Sequence, residues 1–240
     1  MVDLSSASYA DRVLEPSPGP PASSTRDGDR RDDLSMPLVG WRAFAKTAED
    51  KVIATAALVL LLPLLIVAAL AIRLETPGPV IFRQRRVGFA NQPIEIYKFR
   101  TMFRDRCDEG GETLTVRDDP RVTRLGRFLR RTGIDELPQL VNVLKGEMSI
   151  VGPRPHVLKA KAGGIPYCEV VASYAERHTA KPGITGWAQV NGWRGDTRSA
   201  EDLRRRIEFD IYYIEHWSIL FDLRIMFRTL WVLVSGEGAC

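Results

Sequence analysis

The stretch VIATAALVLLLPLLIVAALAI, Val52 to Ile72, decides how the rest of this chain must be read. It contains no charged residue. A helix rises about 1.5 Å per residue, so this run is roughly 30 Å long, the thickness of a bilayer's hydrocarbon core. The competing reading is a buried core helix, but such helices seldom stay apolar on every face for this long. Pro63 lies mid-run, where it removes one backbone hydrogen bond and presses on the preceding turn. A kink or break is therefore predicted there. Arg42, Lys46 and Lys51 precede the run, and Arg73, Arg83, Arg85 and Arg86 follow it. Positive residues favour the cytoplasmic side, so a straight span would leave one cluster on the wrong side. A helix that enters, bends at Pro63 and returns keeps both clusters in the cytoplasm. Proline is also common in true spans, so on the residues alone the re-entrant and the spanning readings both stand.

Working outward, residues 1–36 include PSPGPPASSTRDGDRRDD, which is Pro, Ser, Gly and charge with little to bury. This segment reads as a disordered tail, and it lacks the apolar core of a secretory signal. The expected division is a tail at 1–36, a membrane-associated helix, re-entrant or spanning, at 37–74 and a larger mixed domain at 75–240. The chain's 240 residues suffice for one domain with a core plus such accessory parts. The formal net charge is +4. Between Arg73 and Lys159 the excess is larger, 17 basic against 11 acidic residues. This suits anionic partners: phosphates, nucleotides, anionic membrane lipid or nucleic acid. A nucleic-acid binder would need clustered aromatic platforms or a recognition helix; neither is evident, and the membrane segment argues against it. No nucleic-acid partner is expected. Cys107, Cys168 and Cys240 have neither CxxC spacing nor a disulfide pattern, which reads as reduced thiols in a cytoplasmic domain.

After the apolar run, TPGPV is a turn signal. VIFRQRRVG and PIEIYKFRTM read as two strands of a hairpin, with Gly88 to Gln92 as the turn. Arg104 to Pro120 is polar and acidic and reads as a mobile loop. RVTRLGRFLRR sets Val122, Leu125, Phe128 and Leu129 on one helical face and arginines on the other. That pattern fits a solvated basic face, a helix at a membrane surface or one presenting arginine to phosphate. KPGITGWAQVNGWRG, at Lys181 to Gly195, is irregular and rich in Gly, Trp and amides, as segments that build sites often are. Ser199 to Ile214 reads as a charged helix. WSILFDLRIMFRTLWVLV is too interrupted by charge to span and suits an interfacial or a core helix. The resulting fold class is α+β and helix-dominated: an apolar membrane helix, re-entrant or spanning, plus a cytoplasmic domain with a small β-hairpin and interfacial amphipathic helices.

RRTGIDELPQL, at 130–140, carries the chemistry. Asp135 can N-cap a helix, Glu136 favours a first turn and Pro138 is tolerated there, so helix initiation alone explains the stretch. Yet Arg130 and Arg131 lie just upstream. Arginine holds phosphate bidentately, and helix N-termini attract it. A carboxylate beside phosphate calls for a divalent cation such as magnesium (Mg²⁺), held by one or two carboxylates plus substrate phosphates. Such parts support phosphoryl transfer to a carboxylate nucleophile. His156, His178 and His216 form no metal pattern, and no Walker loop, dinucleotide fingerprint or serine elbow is present.

In order along the chain come KFRTM (Lys98–Met102), DELPQL (Asp135–Leu140), LKGEMSIVGPRP (Leu144–Pro155), KPGITGWAQVNGWRG and EFDIYYIEHWSILFDLRI (Glu208–Ile225). Together they closely resemble the bacterial sugar transferases, also called monotopic phosphoglycosyl or polyprenyl-phosphate hexose-1-phosphate transferases. The resemblance runs from about Lys46 to Val234. It implies transfer of a sugar 1-phosphate from a UDP-sugar to undecaprenyl phosphate, giving undecaprenyl diphosphate sugar and UMP. That is an opening membrane step of exopolysaccharide or other surface glycan synthesis, at the cytoplasmic face of the bacterial inner membrane.

By the same resemblance Asp135 is the nucleophile that forms a phosphosugar-enzyme intermediate, and Glu136 assists proton transfer or positioning. Mg²⁺ binds at Asp135, Arg130 holds phosphate, and Arg154 binds the nucleotide or its phosphates. Lys98 and Arg100 are weaker candidates for the same pocket. The family's re-entrant helix breaks at proline, often as Ser-Pro; here the pair is Leu62-Pro63, so the break residue matches and the serine does not. With positive charge on both flanks, the resemblance implies a re-entrant membrane helix hairpin at 37–74 and a cytoplasmic catalytic domain at 75–240. The WAQVNGWRG and YYIEHWS segments resemble members that use glucose or galactose. Larger relatives carry additional spanning helices, so a minimal form is expected, and a homo-oligomer is compatible with the sequence. A membrane-anchored adaptor without activity would explain tail, anchor and charge, but not the clustered acidic and basic motifs.

Overall fold

The computed structural model describes residues 40–104, 119–158, 160–162, 164–193, 195, 197 and 199–235. The expected tail at 1–36 and most of the expected loop at 104–120 lie outside the described residues. The apolar run belongs to a longer helix, α1, Trp41–Glu75, which continues through Pro63, so the expected break there and a hairpin of two helices are not seen. Its 35 residues correspond to about 50 Å of straight helix. Among the described residues it is the one helix long and apolar enough to cross a membrane, and little of that stretch is buried.

Burial along α1 falls into two ends and a middle. Near its start, Ala54 is buried with Leu140, Val143, Met148 and Ile150, and Ile53, Ala57 and Leu58 pack against that cluster. Near its end, Ala68 and Ile72 join Phe99 and Leu129 in a second cluster. Between them Val59, Leu60, Leu62, Ile66 and Val67 are exposed. The described residues belong to one compact unit.

Strand β1, Ile81–Val87, pairs antiparallel with β2, Pro93–Phe99, in the register Ile81↔Phe99 to Val87↔Pro93. This is the expected hairpin. Its turn contains a 3₁₀ segment, Phe89–Asn91, with Ala90 and Asn91 at positive φ. Helix α2, Arg124–Thr132, is capped by Thr123, whose hydroxyl accepts from the Gly126 amide at 2.9 Å. Leu129 of α2 is buried while Phe128 is exposed. Gly126 has no side chain for a physical reason: a Cβ there would lie 2.2 Å from the Thr101 carbonyl oxygen. Gly133, at φ 72°, ends the helix in the left-handed region.

A 3₁₀ turn, Ile134–Glu136, then leads into α3, Gln139–Lys145. The expectation that Asp135 N-caps a helix is therefore corrected. Gly133 stops α2, Pro138 precedes α3, and Asp135 sits in the tight turn between them. Then come β3, Ser149–Val151; β4, Lys161–Ala162, antiparallel to β5, Ile165–Pro166; and α4, Tyr167–Val170. A 3₁₀ segment spans Ala172–Thr179, and β6, Gly183–Thr185, pairs parallel with β3. The short α5, Trp187–Val190, is followed by α6, Ala200–Glu215, and α7, Ile219–Ser235. Ser199 and Asp202 form a full capping box on α6.

Trp187 of α5 is buried against Phe209 and Phe221, and Thr185 meets Thr229 of α7 at 2.6 Å. The Lys181–Gly195 segment is thus moored to the last two helices. Helix α7 buries Asp222 and Ile225 and exposes Leu220, Phe227, Leu230 and Trp231. The architecture is helix-dominated α+β, with small strand pairs and one long apolar helix.

Candidate active site

Three segments distant in sequence converge at the Ile134–Glu136 turn. Strand β2 supplies Lys98, the C-terminal turn of α2 supplies Arg130, and the Pro153–Pro155 turn after β3 supplies Arg154. Glu136 is gripped from two sides. Lys98 Nζ donates to its Oε1 at 2.8 Å, and Arg154 donates through Nη2 to Oε1 at 2.6 Å and through Nη1 to Oε2 at 3.2 Å. Burial pushes the Glu136 carboxyl up, but Arg154 and Lys98 outweigh it and hold the group well below the usual carboxylate range. Lys98 itself is lowered, because its burial outweighs the attraction of Glu136. This ion pair is short, partly shielded and charge-assisted, unlike an exposed surface pair.

Asp135 is different. It is 8% exposed, and among the described residues no hydrogen bond or ion pair reaches its carboxylate. Burial, reinforced by the Glu136 charge, pushes it up to about 6 against the pull of Lys98, Arg130 and Arg154. Two adjacent carboxylates thus have different circumstances: one is ionised and locked, the other buried with its oxygens open. Arg130 is anchored by Nε, which donates to Thr101 Oγ1 at 2.9 Å, and its terminal nitrogens make no hydrogen bond among the described residues. Two carboxylates face three cationic side chains, so the centre carries a positive surplus suited to an anionic ligand.

Of the residues singled out from sequence, Asp135, Glu136, Lys98 and Arg154 come together, with Arg130 close enough to act on Asp135. Arg100 does not join them. It is buried at the exit of α1, where it donates to Thr76 O and Thr76 Oγ1 at 2.7 Å each and to Pro77 O at 2.9 Å. Pro63 lies in the exposed middle of α1 rather than near this centre.

Three residues of the site's surroundings escaped sequence reasoning. Arg86 donates to Pro155 O at 3.3 Å, Thr101 orients Arg130, and Arg177 holds the Arg154 carbonyl. Thr101 stands inside the KFRTM motif and could have been found there. Nothing in spacing or composition marks Arg177. His156 and His178 are buried near it, and His216 stacks on Tyr212 with ring centroids 4.1 Å apart.

A buried acidic turn ringed by cations is chemically suited to an anionic ligand. The family model described as bacterial sugar transferase matches residues 41–236, so the chain belongs to that family. It is 51% identical over 196 residues to the UDP-glucose:undecaprenyl-phosphate glucose-1-phosphate transferase of Escherichia coli K12, covering 81% of this chain and 41% of that protein. It is 50% identical to the undecaprenyl-phosphate glucose phosphotransferase of Komagataeibacter xylinus, covering 81% and 36%. It is 49% identical to the exopolysaccharide production protein PSS of Rhizobium leguminosarum bv. phaseoli, covering 85% of this chain and 100% of that one. The chain thus spans about two fifths of the length of the first two curated relatives.

Proposed function

We propose that this protein transfers hexose 1-phosphate, from UDP-glucose or UDP-galactose, to undecaprenyl phosphate, releasing UMP. Its place would be the cytoplasmic face of the bacterial inner membrane, at the start of exopolysaccharide or other surface glycan assembly. The activities for which two relatives are named support the reaction. The observation that carries the assignment of roles is the asymmetry of the dyad, with Glu136 locked by Lys98 and Arg154 and Asp135 left open.

In the first step an Asp135 carboxylate oxygen attacks the sugar-linked phosphorus of the UDP-sugar. The bond from that phosphorus to the oxygen bridging the two phosphates breaks, and UMP leaves. In the second step an oxygen of undecaprenyl phosphate attacks the same phosphorus and Asp135 is released as carboxylate. Neither step requires a proton from Glu136. A carboxylate held ionised by two cations is a poor general acid, so Glu136 acts by positioning Lys98 and Arg154. Arg130 and Arg154 take the charge of the phosphates.

Among the described residues no group of three or more His, Cys, Asp or Glu side chains converges as a metal cage. One open buried carboxylate fits the other kind of site, in which Mg²⁺ is shared between a single protein ligand and substrate phosphates. Asp135 would be that ligand, and the ion would neutralise the diphosphate.

Full-length protein in nanodiscs should release UMP from a UDP-hexose in the presence of Mg²⁺ and undecaprenyl phosphate. A screen of UDP-glucose, UDP-galactose and their N-acetyl forms reads the sugar, and no UMP from any of them would defeat the proposal.

The membrane topology belongs to the same reading. Both halves of α1 pack on catalytic-domain residues while its middle is apolar and exposed, which supports a re-entrant helix. Single cysteines at Phe44 and Leu74, in a background lacking Cys107, Cys168 and Cys240, should both resist an impermeant thiol reagent added outside intact cells. Both should react once the cytoplasm is opened. Labelling of one of them from outside would mean a span.

A further inference from the structure

Arg177 is 1% exposed and touches neither Asp135 nor Glu136, yet it joins three parts of the domain. Its Nε and Nη2 donate to Asp210 Oδ2 at 2.9 and 2.8 Å, which ties the Ala172–Thr179 segment to α6. Nη2 also donates to the Arg154 carbonyl at 2.7 Å, and Nη1 lies 2.9 Å from His156 Nδ1. Asp210 is 2% exposed, so the pair is wholly enclosed. Tyr174 stacks on His156, its hydroxyl 3.1 Å from the same Nδ1. Thus one guanidinium, its orientation set by a buried carboxylate, grips both the backbone of Arg154 and the ring of His156 two residues on.

We propose that Arg177 and Asp210 are positioning residues for the transfer centre: the Asp210-oriented guanidinium fixes the Pro153–Pro155 turn and so aims the Arg154 side chain at Glu136 and the substrate phosphates. The Arg154 side chain reaches Glu136 from a turn that strands hold only at its two ends, the Gly183 amide of β6 donating to Pro153 O at 3.0 Å and the Val87 amide of β1 donating to His156 O at 2.9 Å. Residues 153–156 have no helix or strand of their own. Between those two backbone bonds the carbonyls are fixed by side chains, Arg177 donating to Arg154 O and Arg86 to Pro155 O. Two rigid prolines flank Arg154, so a shift of its carbonyl rotates the whole turn rather than relaxing locally. Catalytic positions are sensitive to displacements of this size, since about 1 Å of misplacement can cost a hundredfold in rate. Arginine is required because its planar fork serves Asp210, the carbonyl and the imidazole together, which a lysine ammonium cannot do.

The inference rests on the proposed transferase reading and is tested by a double-mutant cycle on UMP release. Arg177→Met should lower kcat/KM by about 10- to 100-fold when Arg154 is present. In an Arg154→Ala background the same change should cost less than about threefold, because the side chain being aimed is gone. Asp210→Asn keeps the shape of its site and should repeat this pattern if Arg177→Met does not fold. Arg177→Lys should restore the thermal midpoint by pairing with Asp210, but not the rate. Equal losses in both backgrounds, or a folded Arg177→Met or Asp210→Asn protein with wild-type kinetics, would overturn the positioning role. An inactive wild-type protein would instead overturn the transferase reading, so the two failures are distinct.

Discussion

Asp135→Asn is expected to abolish UMP release, with a loss of at least about a thousandfold, equivalent to roughly 4 kcal/mol of barrier. The substitution is isosteric, so the Ile134–Glu136 turn and the Lys98–Glu136–Arg154 grip should survive it. What it removes is the anionic oxygen that bonds to phosphorus. Asn retains an oxygen of similar geometry, and only nucleophilicity and charge differ. The sharper measurement omits the lipid acceptor. Wild-type protein given UDP-sugar labelled in the sugar should release about one equivalent of UMP and retain the label on protein. Asp135→Asn should do neither. Glu136→Gln supplies the contrast. It weakens the pairing with Lys98 and Arg154 without touching the nucleophile, so label should still be retained, only more slowly. An Asp135→Asn protein that keeps more than a tenth of wild-type turnover would rule out a covalent role for Asp135.

The parts legible in sequence are those governed by local pattern. An uncharged run of this length needs no tertiary information to be recognised, and it became the exposed middle of α1. Alternation of apolar and polar residues located both strands of the hairpin, and turn residues located the bend between them. The charged helix after Ser199 was legible from its run of charged and apolar residues, and the structure adds the capping box that starts it. The Asp135-Glu136 pair stood out as a motif, but its local conformation did not. Helical periodicity on both sides suggested a helix start, whereas Gly133 and Pro138 jointly impose a turn too short for one.

Arg100 shows where strand logic stops. Lys98 and Arg100 are two residues apart, and in a continuing strand they would share a face. β2 ends at Phe99, so Arg100 turns instead to the carbonyls at the exit of α1. Arg177 and Asp210 were invisible for a different reason. Their partnership spans 33 positions and exists only after folding.

Asp222→Ala is expected to be the most destabilising single change in the domain, because this buried carboxylate fastens the membrane helix to the catalytic core. Asp222 is 0% exposed. Its Oδ2 accepts from Trp217 Nε1 at 2.9 Å and lies 2.7 Å from Lys46 Nζ, and its Oδ1 accepts from the Tyr213 hydroxyl at 2.9 Å. Lys46 also bonds Asp50 at 3.0 Å, and Asp50 in turn accepts from Ser149 Oγ and the Ile150 amide at 2.9 and 3.0 Å. One network therefore links α1, β3, α6 and α7. Truncation removes a charge from an enclosed cluster and strands the indole and phenol donors. Breaking a buried pair from one side costs about 3–5 kcal/mol. For a domain of this size that is on the order of 10 °C in the thermal midpoint. Part of that loss comes from Lys46, which keeps Asp50 but loses its shorter ion pair. Lys46→Met combined with Asp222→Ala should therefore be less destabilising than the sum of the two single changes. Additive losses, or an Asp222→Ala protein melting within about a degree of wild type, would show that apolar packing around Ala54, rather than this network, holds the base of α1.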